Sequence, residues 1–378
     1  MSTKYFATCA RGLEEVLEEE AKAIGAEKTE KASGGIYFFG DQDTLYKAHL
    51  WFRTANRILL PLRSFRVFTA DELYENLLRF KWETFLKKGL TFSVDCTLSG
   101  RNGPQLQHSQ YAKLRSKDAI VDRMREKTGD RPNVDVENPD IRVVIYVRDN
   151  TAFLNMDASG ASLHERSYRA AGAEAPLKET LAAGILKLSG WDGATPLMDP
   201  MCGSGTLLAE AALIASNTAP GLLREKFLFH NWPDFYLPRW EQWKAEALAA
   251  KKELPKDFLR GLDHSSAAVD QCKKTFQRLN FPIAVEKKNF VAFERPDHWE
   301  KGFIILNPPY GERIGEEQEL MPLYKLIGDT FKQKLKGWKG AVFTGSSLLA
   351  KSVGLRPNRR IPLWNGAIEC RLLTYEMY

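Results

Sequence analysis

Phe303-Ile304-Ile305-Leu306-Asn307-Pro308-Pro309-Tyr310 is a run of four apolar residues that stops abruptly at Asn-Pro-Pro-aromatic. A short apolar run bounded by prolines reads as a strand buried on both faces, because proline cannot donate into a sheet ladder. The same grammar recurs along the second half of the chain. Leu197-Met198 runs into Asp199, Phe258–Leu262 into Asp263, and Ala341–Thr344 into Gly345. Helical patterns fill the intervals, as in Leu207–Ala215 and Ser265–Leu279. Strands and helices that alternate in this way predict a doubly wound, Rossmann-like parallel sheet, with ligands held at the strands' carboxyl ends. Residues 161–378 are expected to form this domain, with Gly160, Gly172 and Pro176 punctuating the connector that leads into it.

Two smaller α/β units precede it. In residues 1–64, Lys4–Thr8 and Gly35–Phe39 read as strands. Gly12–Ile24 and Asp41–Ala55 read as helices, each with one apolar stripe. That order suits a ferredoxin-like half-fold. In residues 65–160 the spacing predicts helical segments at Asp71–Phe80 and Ser109–Lys127 and a strand at Leu90–Leu98. Ile141–Arg148 and Thr151–Asp157 read as a hairpin across Asp149-Asn150.

The loops after the strands carry the chemistry. Asp199-Pro200-Met201-Cys202-Gly203-Ser204-Gly205-Thr206 is a Gly-rich strand-to-helix turn. It lacks the Gly-Lys-Ser/Thr of a phosphate loop and the full Gly-x-Gly-x-x-Gly of a dinucleotide site. An acid at its head repels a pyrophosphate and can receive a cation, and S-adenosylmethionine carries a sulfonium and an α-amino group. Asp263 ends the next strand, where a carboxylate can accept from both ribose hydroxyls; the plainer reading is a helix cap. Asn289-Phe290 is placed to bond and pack against adenine, or else to be a turn Asn beside a core Phe.

Asn307 Oδ1 and the Pro308 carbonyl can together accept two N–H groups of an exocyclic amine. Pro309 stiffens the turn and Tyr310 can stack on an extruded base. The methyl acceptor is thereby narrowed to a planar amino group, and the reaction needs orientation more than a strong base.

The bulk figures agree with a globular chain of 378 residues with net charge +6. Residues 1–50 carry 6 basic against 9 acidic groups, so the positive excess lies further on, compatible with phosphate contacts. Five scattered cysteines without a Cys-x-x-Cys suggest reduced thiols in a cytoplasmic protein and no structural metal. No apolar run reaches membrane-spanning length and the opening residues do not read as a signal peptide. His230, Trp232, Trp240 and Trp243 in the insertion Ser216–Lys256 read as a packed aromatic cluster. Lys113, Arg115, Lys117, Arg123 and Arg125 either meet phosphates or form a salt-bridged surface with Asp118, Asp122 and Glu126. Arg356, Arg359 and Arg360 precede a final strand pair and are expected near the active edge.

With these residues in view, the chain resembles the bacterial THUMP-containing methyltransferases that modify guanine N2 in large-subunit ribosomal RNA. The likeness covers nearly its whole length. Phe6-Ala7-Thr8-Cys9-Ala10-Arg11-Gly12-Leu13-Glu14 looks like that family's opening. Ser109–Ala112 through Asp118–Asp122 looks like a THUMP domain, an RNA-binding module. Ala175–Ala182 is similar to the segment that helps hold S-adenosylmethionine, which implies a cofactor role for Thr180 and Leu181. Asp199–Thr206 and Asn307–Arg313 match the cofactor and catalytic motifs, and Asn365-Gly366-Ala367-Ile368-Glu369-Cys370 resembles the C-terminal hairpin.

The resemblance implies a class I methyltransferase domain after ferredoxin-like and THUMP domains, S-adenosylmethionine as cofactor, and 23S ribosomal RNA as partner. Relatives with a second methyltransferase domain modify another guanine, an activity not expected of a chain ending at Tyr378. Relatives also often have Asp where this chain has Asn289. The motifs alone leave three alternatives: a guanine-N2 methyltransferase of transfer RNA, a DNA adenine methyltransferase, and a non-catalytic RNA-binding assembly factor. They say nothing of oligomeric state.

Overall fold

The computed structural model describes residues 2–102, 106, 108–169, 177–311 and 316–378. Gly172, Ala175, Pro176, Glu312 and Arg313 of the motifs above lie outside these residues.

The N-terminal unit runs β1 (Thr3–Cys9), α1 (Glu14–Ala23), β2 (Lys28–Ala32), β3 (Gly35–Gly40), α2 (Gln42–Trp51) and β4 (Ala55–Arg66). Helix α2 starts where Asp41 accepts from the Thr44 amide at 3.0 Å, a side-chain N-cap. It stops at Phe52, earlier than the sequence suggests, because the chain turns directly into β4. The second unit follows with α3 (Ala70–Leu78), β5 (Thr91–Ser99), α4 (Ser109–Thr128), β6 (Asn133–Val134), β7 (Ile141–Arg148) and β8 (Thr151–Asp157). The β7–β8 hairpin turns on Asp149 and Asn150, both at positive φ (48° and 57°), the two-residue turn that matches strand twist.

One eight-stranded sheet joins these two units, in the order β2-β3-β1-β4-β8-β7-β5-β6. Strand β4 pairs with β1 on one side and β8 on the other. It therefore runs through residue 64, where the sequence reading puts a boundary. The five cations of α4 are each paired: Lys113 with Asp95, Arg115 with Asp71, Lys117 with Asp118, Arg123 with Glu83 and Arg125 with Asp122. Two of these pairs stay on the helix, with Asp118 and Asp122, and three reach neighbouring elements, at Asp71, Glu83 and Asp95.

The third unit comprises α5 (Glu179–Leu188), β9 (Leu197–Asp199), α6 (Thr206–Ala215), α7 (Leu237–Ala249), β10 (Leu259–Asp263), α8 (Ser266–Leu279), β11 (Ala284–Lys287), β12 (Phe303–Leu306), α9 (Glu316–Lys334), β13 (Lys339–Thr344), α10 (Ser347–Ser352), β14 (Arg359–Asn365) and β15 (Ile368–Glu376). Its sheet runs β11-β10-β9-β12-β13-β15-β14. The first five are parallel, and β15 is antiparallel to β13. Chain order reverses between β9 and β12, so a crevice opens at their carboxyl ends.

The insertion docks α7 on α2. Tyr46, Phe229, His230 and Trp240 pack as one aromatic cluster, and Asp43 accepts from Trp243 Nε1 at 2.9 Å. Burial holds His230 down at about 4. No helix among the described residues is long and apolar enough to cross a membrane.

Candidate active site

The Gly-rich loop leaves β9 at the switch point and is held mainly by backbone. Cys202 N–H donates to the Leu262 carbonyl at 2.9 Å and Gly205 N–H to the Cys202 carbonyl at 2.8 Å. Gly203 and Gly205 sit at φ 52° and 83°. A Cβ on Gly205 would run into Cys272 Sγ of α8, so only glycine lets α8 pack this closely on the turn. Gly205 also takes the N-cap position of α6 without a side-chain cap. The first amides of α6 therefore face the loop as a partly positive helix end.

Asp199 and Asp263 bracket this loop. Asp199 is fully buried, with Oδ1 accepting from Met201 N–H at 3.1 Å. Asp263 is almost as buried. Its Oδ2 accepts from Gly203 N–H and its Oδ1 from Ser265 N–H, both at 2.9 Å. The cap of α8 is Ser265, not Asp263: its hydroxyl accepts from Ala268 N–H at 3.3 Å. Burial pushes the Asp199 carboxyl up to about 8; the Met201 amide opposes that rise and the Asp263 carboxylate adds to it. Two buried acids beside a glycine-rich turn at the sheet's carboxyl edge make this loop a candidate for a cationic or hydrogen-bond-donating ligand.

One strand over, Ile304 pairs with Met198, so Asn307 emerges beside the loop. Its Oδ1 is buried and accepts no hydrogen bond from the described residues. Pro308 is buried, Pro309 exposed and Tyr310 half-buried. The Tyr310 hydroxyl accepts from Asn365 Nδ2 at 3.1 Å. Its ring lies against Gly345, where an added Cβ would stand 2.9 Å from Cδ2.

Other expected residues take different places. Asn289 Oδ1 accepts from Val291 N–H at 3.0 Å, and Phe290 is buried against Phe293. The Phe290 ring is thus part of the core, and the neighbouring exposed side chain is Val291, 69% accessible. Thr180 and Leu181 are buried in the first turn of α5. Thr180 Oγ1 donates to Asn56 Oδ1 of the N-terminal unit at 2.7 Å. Ser204 and Thr206 hydroxyls lie 3.4 Å apart.

Arg169, which no sequence signal singled out, ties α5 to this turn. Its Nη2 contacts the Leu177 carbonyl (2.8 Å), Glu179 (3.1 Å) and Thr206 Oγ1 (3.4 Å). The basic cluster of Arg356, Arg359 and Arg360 requires correction. Asn365 pairs with Ile368 at the catalytic end, whereas Arg359 pairs with Thr374, which faces Ala341 of β13. Arg359 and Arg360 therefore lie back along an edge strand. Among the described residues, Arg371, opposite Thr344, and Arg11, stacked 4.2 Å over Trp364, are cations at the active edge.

Residues 166–374 match the family model for the RMKL-like methyltransferase domain. Residues 4–59 match an RlmL ferredoxin-like domain and 68–157 a THUMP domain. A putative RNA methyltransferase of Synechocystis sp. is 40% identical over 376 residues, covering 99% of this chain and 97% of its own. The ribosomal RNA large subunit methyltransferases K/L of Syntrophotalea carbinolica and Pseudomonas savastanoi are each 40% identical. They align with 99% and 100% of this chain, which spans 53% and 52% of their length. Among solved structures, a putative methyltransferase complexed with SAH superposes with a TM-score of 0.88 at 28% identity, covering 100% of this chain and 98% of that one. A possible methylase from Clostridium difficile does so with a TM-score of 0.88 at 29% identity, covering 100% and 99%.

Proposed function

The chain belongs to the RMKL-like methyltransferase family, and from that footing we propose that it methylates the exocyclic N2 of guanine in large-subunit ribosomal RNA. Its cofactor is S-adenosylmethionine. The observation that carries the reading is the buried Asn307 Oδ1 at the sheet's switch point, which accepts no hydrogen bond from the described residues, beside a loop bracketed by two buried acids. A buried amide oxygen without a partner costs roughly 1–3 kcal/mol, and an amine N–H donated by a bound base would recover it.

The residues fit the cofactor. Asp199 supplies a carboxyl group for a cationic ligand and Asp263 acceptors for the ribose hydroxyls; Gly203, where a Cβ would meet nothing within 4 Å, keeps the floor of the site bare of a side chain, and the open start of α6 suits a carboxylate. When bound, S-adenosylmethionine supplies an electrophilic methyl group. The chain does the rest. Asn307 Oδ1 and the Pro308 carbonyl accept the two N–H groups of the guanine amine and turn its lone pair out of the ring plane. Tyr310 fixes the base plane by stacking, and the prolines keep these acceptors from relaxing. So held, the amine nitrogen would be poised to take the methyl group that the bound cofactor would supply, and its surplus proton would leave to water. Arg169, Thr206 and Asn56–Thr180 hold α5 and α6 in place around the site.

The test is mass-spectrometric mapping of methylated nucleosides after the purified chain, with cofactor, acts on unmodified ribosomal and transfer RNA. N2-methylguanosine in the 23S RNA is expected. Methylguanosine confined to transfer RNA would reassign the substrate, a methyl at another guanine atom would sink the N2 assignment, and cofactor binding without transfer to any RNA would favour an assembly factor.

Asp199 gives this reading a pH signature. Its folded-state value, about 8, lies above the ordinary carboxylate value near ~3.9. The stability from its protonated form is therefore complete below the unfolded value and lost as pH rises through about 8. A cationic ligand reverses the preference, so binding near pH 7 should release a proton. Cofactor affinity should therefore tighten as pH rises toward about 8, by up to roughly tenfold per pH unit, and level off above it. Calorimetry in two buffers of different ionisation enthalpy reads the proton directly. Equal heats in both would remove Asp199 from the cofactor's cationic end.

A further inference from the structure

The hairpin at Asn365–Cys370 and the opening stretch around Arg11 meet in space, and together they fix Tyr310. Asn365 closes β14, opposite Ile368, across the two-residue turn Gly366-Ala367 in which Gly366 has φ 62°. From that point Asn365 Nδ2 donates to the Tyr310 hydroxyl at 3.1 Å. Ile368 backs the same spot: a Cβ on Gly345 would lie 3.2 Å from Ile368 Cγ2 as well as 2.9 Å from Tyr310 Cδ2. The ring is thus pinned at its tip by a hydrogen bond and along its edge by a residue that has no side chain.

The hairpin is itself clamped from outside the catalytic unit. Gly12, at φ 93°, approaches β14 so closely that a Cβ would stand 2.6 Å from the Pro362 carbonyl oxygen and 3.0 Å from Leu363 Cδ2. Arg11, exposed, lays its guanidinium 4.2 Å over the Trp364 ring, a cation–π contact next to Asn365. Both contacts fall on β14, the strand that carries Asn365.

We propose that Asn365 is a positioning residue for Tyr310, and that the N-terminal unit, through Arg11 and Gly12, sets the plane of this ring. The proposal rests on the reading of Tyr310 as the group that stacks on the target base. It gives the N-terminal unit a second task beside any contact with RNA, which is to complete the geometry of the active site.

A double-mutant cycle and a direct probe test it. Asn365→Ala should lower kcat about tenfold, the worth of one hydrogen bond, with the KM for cofactor unchanged. In a Tyr310→Phe background the same substitution should change kcat less than about twofold, because the hydroxyl it acts through is gone. Equal losses in both backgrounds would overturn the proposal. Independently of turnover, 3-fluorotyrosine placed at position 310 should give a fluorine resonance that shifts or broadens in Asn365→Ala and in Arg11→Ala, and stays put in Lys113→Ala. A resonance unmoved by Asn365→Ala overturns the proposal even if transfer is slowed. A wild-type protein that methylates no RNA defeats the functional reading instead, and the fluorine signal still decides the positioning.

Discussion

Asn307→Ala is expected to lower the single-turnover rate of methyl transfer by about 10²–10³-fold, the range seen when one preorganised polar group is taken from a reacting centre. Cofactor affinity should stay within about twofold of wild type by calorimetry, because uniform binding and transition-state binding are separate quantities. The fold should not suffer. Asn307 Oδ1 accepts no hydrogen bond from the described residues, so truncation breaks no bond to them at that oxygen. Most buried polar groups show the opposite pattern, in which deletion costs stability first. Loss of rate with retained or raised thermal stability is therefore the specific signature. A variant that transfers methyl within tenfold of wild type would show that the amide is a strand terminator and that the amine is held elsewhere.

The catalytic unit was the legible half of the chain because its strands are short, apolar and punctuated. β12 and the β7–β8 hairpin fall where the sequence puts them, and α8 ends at Leu279 as expected, at an Asn280 with φ 52°. β4 was not legible. Arg57, Pro61, Arg63 and Arg66 break its alternation, and a proline argues against a central strand. The structure accommodates Pro61 at a register shift between Pro61 and Arg63, where the pairing with β8 skips a residue. β2 was missed for a different reason. It is a polar edge strand, Lys28–Ala32, whose charged residues suit an edge and mimic a loop.

At the site, the loop glycines, Asp199, Asp263 and Asn307 could be read from their places after strands. Asn56, Arg169 and Asn365 could not, because each acts through a partner far away in sequence: Asn56 on Thr180, Arg169 on Thr206, Asn365 on Tyr310. Periodicity says which face a residue takes. It does not say what another domain brings to that face. The arginines of β14 show the same limit. Their distance from the active edge is a matter of antiparallel register, which residue order alone does not fix.

Cross-domain dependence of this kind is strongest at Arg166, whose replacement is expected to have the largest effect on stability. Arg166 is 1% exposed and forms an ion pair with the fully buried Glu210, one turn into α6 from the Gly-rich loop. Its other guanidinium nitrogen donates to the carbonyl of Arg53 in the N-terminal unit. Tyr168 donates to the second Glu210 oxygen at 2.8 Å. Arg53 in turn donates to the Thr218 carbonyl at 2.9 Å. Arg166→Met keeps the volume but strands a carboxylate in the interior, which costs about 3–5 kcal/mol when a buried pair loses one member. Burial already lifts the Glu210 carboxyl above its ordinary value, and Arg166 is the first of the groups that hold it down. Without Arg166 the folded-state value rises further, so the variant favours protonated Glu210. Its deficit should be smallest at low pH and should grow as pH climbs past the unfolded glutamate value, near ~4.3. Urea unfolding followed by tryptophan fluorescence at pH 5.5 and pH 8 separates the cases. A loss that grows with pH, and is partly regained in Arg166→Met with Glu210→Leu, identifies the stranded charge as the cause. A loss below about 1 kcal/mol, equal at both pH values, would mean that the pair contributes no more than a surface bridge and that hydrophobic packing alone seats the N-terminal unit on α6.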